Sequence, residues 1–121
     1  MIKICDLEVS QLFLFKEQSH LGRCNVVYKD QSIDFHKLST EQRNSFMAEV
    51  AKVGIVITTA FNPSKINYGA YADPISHLHV HVVPKYKDGF GFSGVFEMNP
   101  QKTFHSDLEY HEIIEKIKLD L

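Results

Sequence analysis

Residues 77–84 read His-Leu-His-Val-His-Val-Val-Pro, and this stretch decides the fold prediction. A β-strand sends successive side chains to opposite faces, so His77, His79 and His81 would share one face. Seven histidines shuffled over 121 positions give this pattern in roughly one chain in seventy, so chance is a poor explanation. We therefore predict a strand over residues 77–83 with three imidazoles on one side and apolar residues on the other.

The remaining elements predict strands arranged around one long helix. Short apolar runs indicate strands at residues 3–9, 11–16, 25–29 and 66–71. Ser39-x-x-Gln42 fits a capping box, so a helix should begin there and end near Asn62, before a proline. A second box, Ser106-x-x-Glu109, begins a helix that runs to the C-terminus. This order indicates an α+β fold in which an antiparallel sheet is covered on one side.

Apolar spacing predicts which faces of these elements are buried. In the central helix, steps of four, three and four residues form one stripe of Phe46, Val50, Val53 and Ile57. The second helix is expected to turn inward Leu108, Ile113, Ile114 and Ile117. On the second strand Phe13 and Phe15 share a face, and the glycine-rich residues 88–94 are expected to form a loop.

Composition limits the classes of function. A chain of 121 residues suits one domain, which we expect to span residues 1–121. The formal net charge of −2 provides no broad basic surface, so we expect no nucleic-acid partner. The apolar runs are too short for a membrane span, and Asp6 and Glu8 interrupt what a signal peptide would keep apolar. Cys5 and Cys24 lack a metal-type spacing and are expected to be free thiols, which favours a cytoplasmic location; a single disulfide between them is the alternative.

The three imidazoles admit three interpretations. They could bind zinc, which accepts His-x-His pairs from a strand. They could act on phosphate, because a neutral imidazole nitrogen attacks phosphorus and neighbouring imidazoles donate to phosphate oxygens. They could also form an exposed strand without a role. Lys85 and Lys87 follow the strand, and Asn67, a neutral donor, precedes it; these neighbours favour phosphate.

The motif Asn67-Tyr68-Gly69, together with the histidine-rich strand, resembles the histidine triad (HIT) family, whose signature alternates three histidines with apolar residues. The order of elements is similar to that family over roughly residues 5–90. Residues 21–27 resemble its Gly-His strand, and residues 35–38 resemble the segment before its long helix. The resemblance implies a HIT-like fold with an antiparallel sheet, one long central helix and a C-terminal helix.

The resemblance also implies an enzyme that cleaves nucleotide conjugates at the α-phosphate. His79 would attack phosphorus to form a nucleotidyl-imidazole, and water would then release the nucleoside monophosphate. One ring nitrogen of His79 must be unprotonated while an acceptor, a backbone carbonyl in the family, holds the other. His77 and His81 would orient the site and contact phosphate oxygens.

The substrates implied are purine nucleotide conjugates such as phosphoramidates, dinucleoside polyphosphates or aminoacyl adenylates. The chemistry requires no metal cofactor, although magnesium could accompany a polyphosphate. Family members commonly form homodimers, and we expect one here, with no membrane partner. A nucleotide-binding module without turnover and a small zinc-binding protein stay open as alternatives.

Several positions depart from the family pattern. Arg23 stands where a further histidine usually follows the glycine; it could bind phosphate near the pocket, or lie on the surface. Asp73 replaces a common glutamine, and Pro74 replaces a serine that assists the leaving group in some members, so Ser76 would have to substitute. Glu17 is the nearest acidic residue to the expected ribose contact at the end of the second strand. These changes concern the leaving group rather than the nucleophile.

Overall fold

The computed structural model describes residues 1–30, 34–74 and 76–121. Its elements in chain order are β1 (Ile2–Asp6), β2 (Ser10–Leu14), β3 (Cys24–Tyr28), a short 3-10 turn (Phe35–Lys37), α1 (Thr40–Phe61), β4 (Lys65–Gly69), β5 (His79–Lys85) and α2 (Asp107–Lys118). The five strands form one antiparallel sheet in the order β1-β2-β3-β5-β4. The prediction of an α+β fold with an antiparallel sheet, a long helix and a C-terminal helix is confirmed. Neither α1 nor α2, the helices of the described residues, has the length and apolar character that crossing a membrane requires.

The histidine-rich strand begins and ends two residues later than predicted. β5 starts at His79, so His77 lies outside the strand, although the Tyr28 N–H still donates to the Leu78 carbonyl at 2.9 Å. At its other end β5 continues through Pro84 to Lys85. Pairing with β3 stops at Val82. Beyond that residue, the side of β5 that faced β3 is an unpaired edge among the described residues. An edge tolerates proline, which cannot donate a ladder hydrogen bond.

Both predicted capping boxes are present, and the predicted stripe of α1 is buried. The Ser39 Oγ accepts from the Gln42 N–H at 3.1 Å, and the Gln42 side chain accepts from the Ser39 N–H at 2.9 Å. Asn62 ends α1 in the left-handed conformation with φ 49°, which asparagine adopts more readily than most residues. The buried stripe contains the four predicted residues, Phe46, Val50, Val53 and Ile57.

The inward face of α2 differs from the prediction at one position. Leu108 is 67% exposed, so its expected burial is wrong. Tyr110 takes the inward position instead and donates its hydroxyl to the Lys16 carbonyl at 2.7 Å. With Ile113, Ile114 and Ile117 it completes an i, i+3, i+4, i+7 stripe, and Leu108 lies off that stripe.

The two faces of the sheet have different coverings. The face towards α1 is apolar and shares one core with the helices; its strand residues include Leu12, Leu14, Val26, Val80 and Val82. Alternate residues of the same strands point to the opposite face. The segment 86–105 covers part of that second face. One contact that holds it there is the Gln18 N–H, which donates to the Thr103 carbonyl at 2.8 Å. The remainder of the second face is open as a pocket.

Candidate active site

A pocket of about 360 Å³ lies on the sheet face opposite α1. Its floor comes from alternate residues of β2 and β3 and the residue after β2, namely Phe13, Phe15, Asn25 and Val27. All three triad histidines line it, as do Asp73 and the wall residues Met98 and Asn99. The structure therefore brings the imidazoles to an apolar cavity with few polar groups, which is the usual character of a small-molecule site.

His79 has a hydrogen bond that determines its tautomer. Its Nδ1 lies 2.6 Å from the His77 backbone carbonyl. A carbonyl only accepts, so Nδ1 carries a hydrogen, and in the neutral ring Nε2 therefore keeps the lone pair. The ring is half-buried, at the first position of β5. An oriented imidazole with a free Nε2 lone pair is suited to nucleophilic attack.

His77 lies in an exposed position before β5, yet it still lines the pocket. The prediction that it sits within the strand is wrong because the ladder with β3 starts at His79. Its main chain has a role that the alternating pattern does not show, since its carbonyl accepts from His79. His77 is thus placed to contribute both a side chain at the pocket edge and the acceptor that orients its neighbour.

His81 is 3% exposed and lies beside Arg23. The Arg23 Nη2 is 3.3 Å from the His81 Nδ1, and arginine can only donate, so Nδ1 accepts and Nε2 carries the hydrogen. Burial, followed by the charges of Arg23 and His79, lowers the pKa of His81 to about 4, so the ring is neutral at pH 7. Among the described residues its buried Nε2–H has no hydrogen-bond partner. Such a group costs about 1–3 kcal/mol when unpaired, which a ligand oxygen would relieve.

Arg23 is fully buried, not on the surface. Its guanidinium donates to the Glu97 carbonyl at 3.0 Å and to the Met98 carbonyl at 2.9 Å, and it lies 3.9 Å from the centroid of the Phe15 ring. Burial lowers its pKa to about 10, against the favourable charge of Glu17, so it stays cationic at neutral pH. The pocket is lined without it, so the structure places Arg23 behind His81 rather than against a bound phosphate.

Glu17 does not reach the pocket either. Its carboxylate accepts from the Ser19 N–H at 2.9 Å and the Ser19 hydroxyl at 2.5 Å. It also accepts from the Lys102 and Thr103 N–H groups, both at 2.8 Å. Burial acts to raise the pKa of Glu17, but these hydrogen bonds lower it below its usual value. The carboxylate therefore anchors the segment before α2, and we do not assign it a ribose contact.

The other predicted ligand contacts are distributed over two cavities and β4. Asp73 is exposed and lines the main pocket. Ser76 is exposed in a neighbouring cavity of about 350 Å³ that also borders His77 and His79. Asn67 is in β4 opposite Val83, and it lies outside the linings of both cavities as the described residues form them. The structure thus brings Asp73 and Ser76, but not Asn67, to the histidines.

Lys85 was expected near phosphate, and the structure assigns its charge elsewhere. It is fully buried and donates its ammonium group to the Gly91 and Gly94 carbonyls, the latter at 2.8 Å. It therefore holds the glycine-rich loop, which the sequence predicts as a loop. His20 packs beneath the same loop, and burial followed by the charges of Lys85 and Arg23 lowers its pKa to about 4.

Sequence reasoning missed several pocket residues, among them Met1, Asn25, Met98 and Asn99. Asn25 could have been found from the strand alternation, which turns it away from the face of Cys24 and Val26. In the sheet it lies directly opposite His81. Its amide donates to the Met1 sulfur at 2.7 Å. The two wall residues come from a segment without periodic structure, and no local signal points to them. Within the described ranges, three or more histidine, cysteine or carboxylate side chains are nowhere grouped as metal ligands would be.

Comparison with solved structures shows the fold independently. A crystal structure of a histidine triad (HIT) protein from Sinorhizobium meliloti superimposes with a TM-score of 0.91 at 21% identity, covering 99% of this chain and 89% of that one. A histidine triad protein from Bradyrhizobium japonicum gives 0.89 at 19% identity, covering 98% and 89%. At such low identity the likeness concerns the fold alone.

Sequence comparison shows the family. An uncharacterized HIT-like protein of Mycoplasma genitalium is 29% identical over 93 residues, which cover 73% of this chain and 63% of that protein. The match therefore spans less than two thirds of that curated relative. The family model named HIT domain matches residues 3–88 of the 121. On the alternating histidines, the fold and this match, the chain belongs to the HIT family.

Proposed function

We propose that this protein cleaves purine nucleotide conjugates at the α-phosphate, through a nucleotidyl intermediate on His79. The observation that carries the proposal is the 2.6 Å hydrogen bond from the His79 Nδ1 to the His77 carbonyl. It leaves the Nε2 lone pair available at the edge of a pocket whose apolar floor suits a nucleobase. Membership of the HIT family supports the same class of function.

The reaction divides one displacement into two. In the first step the Nε2 lone pair forms an N–P bond, and the bond from phosphorus to the leaving group breaks with its electron pair. The ring becomes cationic, and the Nδ1–H bond to the carbonyl oxygen strengthens as that charge develops. In the second step a water oxygen bonds to phosphorus, the N–P bond breaks with its electron pair returning to Nε2, and the water's proton passes to the solvent. Two displacements imply retention of configuration at phosphorus.

The neighbouring groups have distinct proposed roles. The His81 Nε2–H donates to a phosphate oxygen, since it is buried and unpaired among the described residues. The His77 ring and Asp73 border the phosphate from the pocket edge. Ser76 lies on the side of the second cavity, where a leaving group would depart. The aromatic residues Phe13 and Phe15 offer apolar surface to the base.

The proposal also includes the cofactor requirement, the oligomeric state, the cellular location and the partners. We expect the attack to need no metal cofactor, because the nucleophile is a ring nitrogen; magnesium would enter as part of a polyphosphate substrate. We also expect a homodimer, a cytoplasmic location, and no nucleic-acid or membrane partner. Sedimentation velocity tests the dimer, and turnover of a phosphoramidate after exhaustive chelation tests the metal independence. Loss of turnover on chelation, restored by zinc, would favour the zinc-binding alternative.

The decisive experiment traps the intermediate. Mixing the protein with a purine nucleoside phosphoramidate, followed by acid-free denaturation and mass spectrometry, should reveal a nucleotidyl adduct on the peptide that contains His79. The His79→Ala variant should give no adduct, and His111→Ala, which removes an exposed histidine of α2, should match wild type. Turnover by His79→Ala equal to wild type would disprove the assignment. Nucleoside monophosphate binding without turnover of any conjugate would instead favour a binding module.

A further inference from the structure

The buried guanidinium of Arg23 contacts two parts of the pocket at once. Through Nη2 it touches the His81 Nδ1 at 3.3 Å, and the same nitrogen donates to the Met98 carbonyl at 2.9 Å. Its Nη1 donates to the Glu97 carbonyl at 3.0 Å. Met98 and His81 both line the pocket, whereas Arg23 itself does not. The residue is therefore placed to act on a ligand only through its neighbours.

The contact with His81 constrains that ring chemically. Every nitrogen of a guanidinium donates, and none accepts. A ring with hydrogen on Nδ1 would direct two donors at each other, and a cationic ring would add repulsion between like charges. The neutral form with hydrogen on Nε2 is the one compatible with this contact. In an isolated imidazole the two tautomers interchange freely, so here the neighbouring guanidinium selects one.

Two rings keep the guanidinium where this selection works. Its central carbon lies 3.9 Å from the Phe15 centroid and 5.0 Å from the Phe96 centroid. The Phe96 ring is also 5.6 Å from the His81 ring. A planar cation that lies over aromatic rings, with its nitrogens bonded to carbonyls, has little freedom to turn away. The stacking and the two carbonyl bonds therefore fix the direction from which Arg23 approaches His81.

We propose that Arg23 is a positioning residue, which holds His81 as the neutral Nε2–H tautomer and thereby presents a hydrogen-bond donor to an anionic oxygen in the pocket. The same guanidinium holds the Glu97–Met98 main chain against the sheet, so it couples the pocket wall to the tautomer. The identity of the anion, a nucleotide phosphate, rests on the proposed function; the tautomer assignment does not. A residue of this kind alters binding and turnover without touching the substrate.

Nitrogen-15 NMR of the imidazole rings tests the tautomer directly on the full chain without ligand. In wild type at pH 7, the His81 ring should show hydrogen on Nε2 alone, and it should remain neutral down to about pH 5. The His81→Gln variant assigns its signals. In Arg23→Met the ring should become a mixture of tautomers and should take up a proton at higher pH. Arg43→Met, which removes the other arginine of the chain, in α1, should leave the His81 spectrum unchanged.

Kinetics with a nucleoside phosphoramidate supply the second measurement. Arg23→Met should lower kcat/KM by about ten- to hundredfold, because orientation is lost rather than the nucleophile. Arg23→Lys should recover part of that loss, since an ammonium can still donate to one of the acceptors. Full activity in a folded Arg23→Met protein would overturn the coupling between Arg23 and the reaction.

The outcomes separate the two proposals. Hydrogen on Nδ1 of His81 in wild type, or an unchanged His81 spectrum in Arg23→Met, overturns the positioning role while leaving His79 as nucleophile. An active His79→Ala variant overturns the proposed function while leaving the tautomer result intact. Should Arg23→Met fail to fold, Arg23→Gln, whose neutral amide offers both a donor and an acceptor, takes its place: an altered balance of His81 tautomers supports the proposal, and an unchanged one overturns it.

Discussion

The two faces of the central strands carry opposite kinds of residue on the same backbone. Towards α1, Val26, Val80 and Val82 are buried in an apolar core. Towards the pocket, the alternate positions include His79 and His81. These three valines on the first face are apolar, whereas the second face keeps the His81 Nε2–H without a partner among the described residues. One face of the sheet therefore stabilises the fold, and the other turns polar groups towards the pocket.

The largest expected effect comes from the pocket face. His79→Ala should lower kcat by about 10³-fold or more, because it removes the proposed nucleophile and no neighbour can replace a ring nitrogen in that position. The free energy of unfolding should change by only about 0.5 kcal/mol, since the ring is half-buried at the pocket edge. Steady-state kinetics and urea unfolding check both statements. A large loss of stability with unchanged kcat would show that His79 stabilises the fold and does not act in the reaction.

A pH effect on stability should also arise on the pocket side. The pKa of His81 is lowered to about 4 in the folded protein, below its ordinary value near 6.5. Between these values the unfolded chain binds more protons, so stability falls as pH is lowered from about 6.5 towards 4. We expect this histidine to contribute about 1–3 kcal/mol to that decline, with a similar contribution from His20.

Urea unfolding of wild type and His81→Gln at pH 7 and at pH 4.5 measures this contribution. It is the difference between the two proteins in how much unfolding free energy is lost from pH 7 to pH 4.5. The His81→Gln protein should lose less stability on acidification than wild type. His111→Gln, which changes an exposed histidine of α2, should lose as much as wild type. An equal loss of unfolding free energy on acidification in all three proteins would show that His81 has the same pKa in the folded and unfolded states.

The matched change on the other face should act on stability instead. Val82→Ala removes a fully buried side chain next in sequence to His81, and it should lower the free energy of unfolding by about 1–3 kcal/mol. The kcat of the folded fraction should stay close to that of wild type. Val95→Ala, at an 87% exposed position, serves as the control and should be neutral. A Val82→Ala protein of wild-type stability would show that the helix side is less tightly packed than it looks.

The smallest expected effect lies at the start of α1, where Ser39 is outside the linings of both cavities as the described residues form them. Ser39→Ala removes the capping oxygen that accepts from the Gln42 N–H, and it should cost about 1 kcal/mol of stability. Ser106→Ala makes the same change in the second capping box, at α2. Thermal unfolding compares the two variants, and phosphoramidate turnover should be unaffected in both. Reduced turnover in Ser39→Ala at a temperature where it is folded would link α1 to the pocket.

The sequence was a reliable guide where the pattern was local. Both capping boxes and the α1 stripe were predicted correctly because each depends on residues three or four apart. The limits of β5 were shifted because the ladder with β3, rather than the alternation, decides where the strand begins. Leu108 was misassigned because Tyr110, whose hydroxyl reaches the Lys16 carbonyl, occupies the inward position.

The sequence by itself determines that His79 and His81 share one face, because histidines alternate with apolar residues and a strand has a period of two. Tertiary structure alone decided which cations face a ligand. Arg23 meets carbonyls 74 and 75 residues away, and Lys85 is covered by the glycine-rich loop, so neither is free for phosphate. Such contacts depend on how distant segments pack, and a pattern among chain neighbours carries no information about that packing.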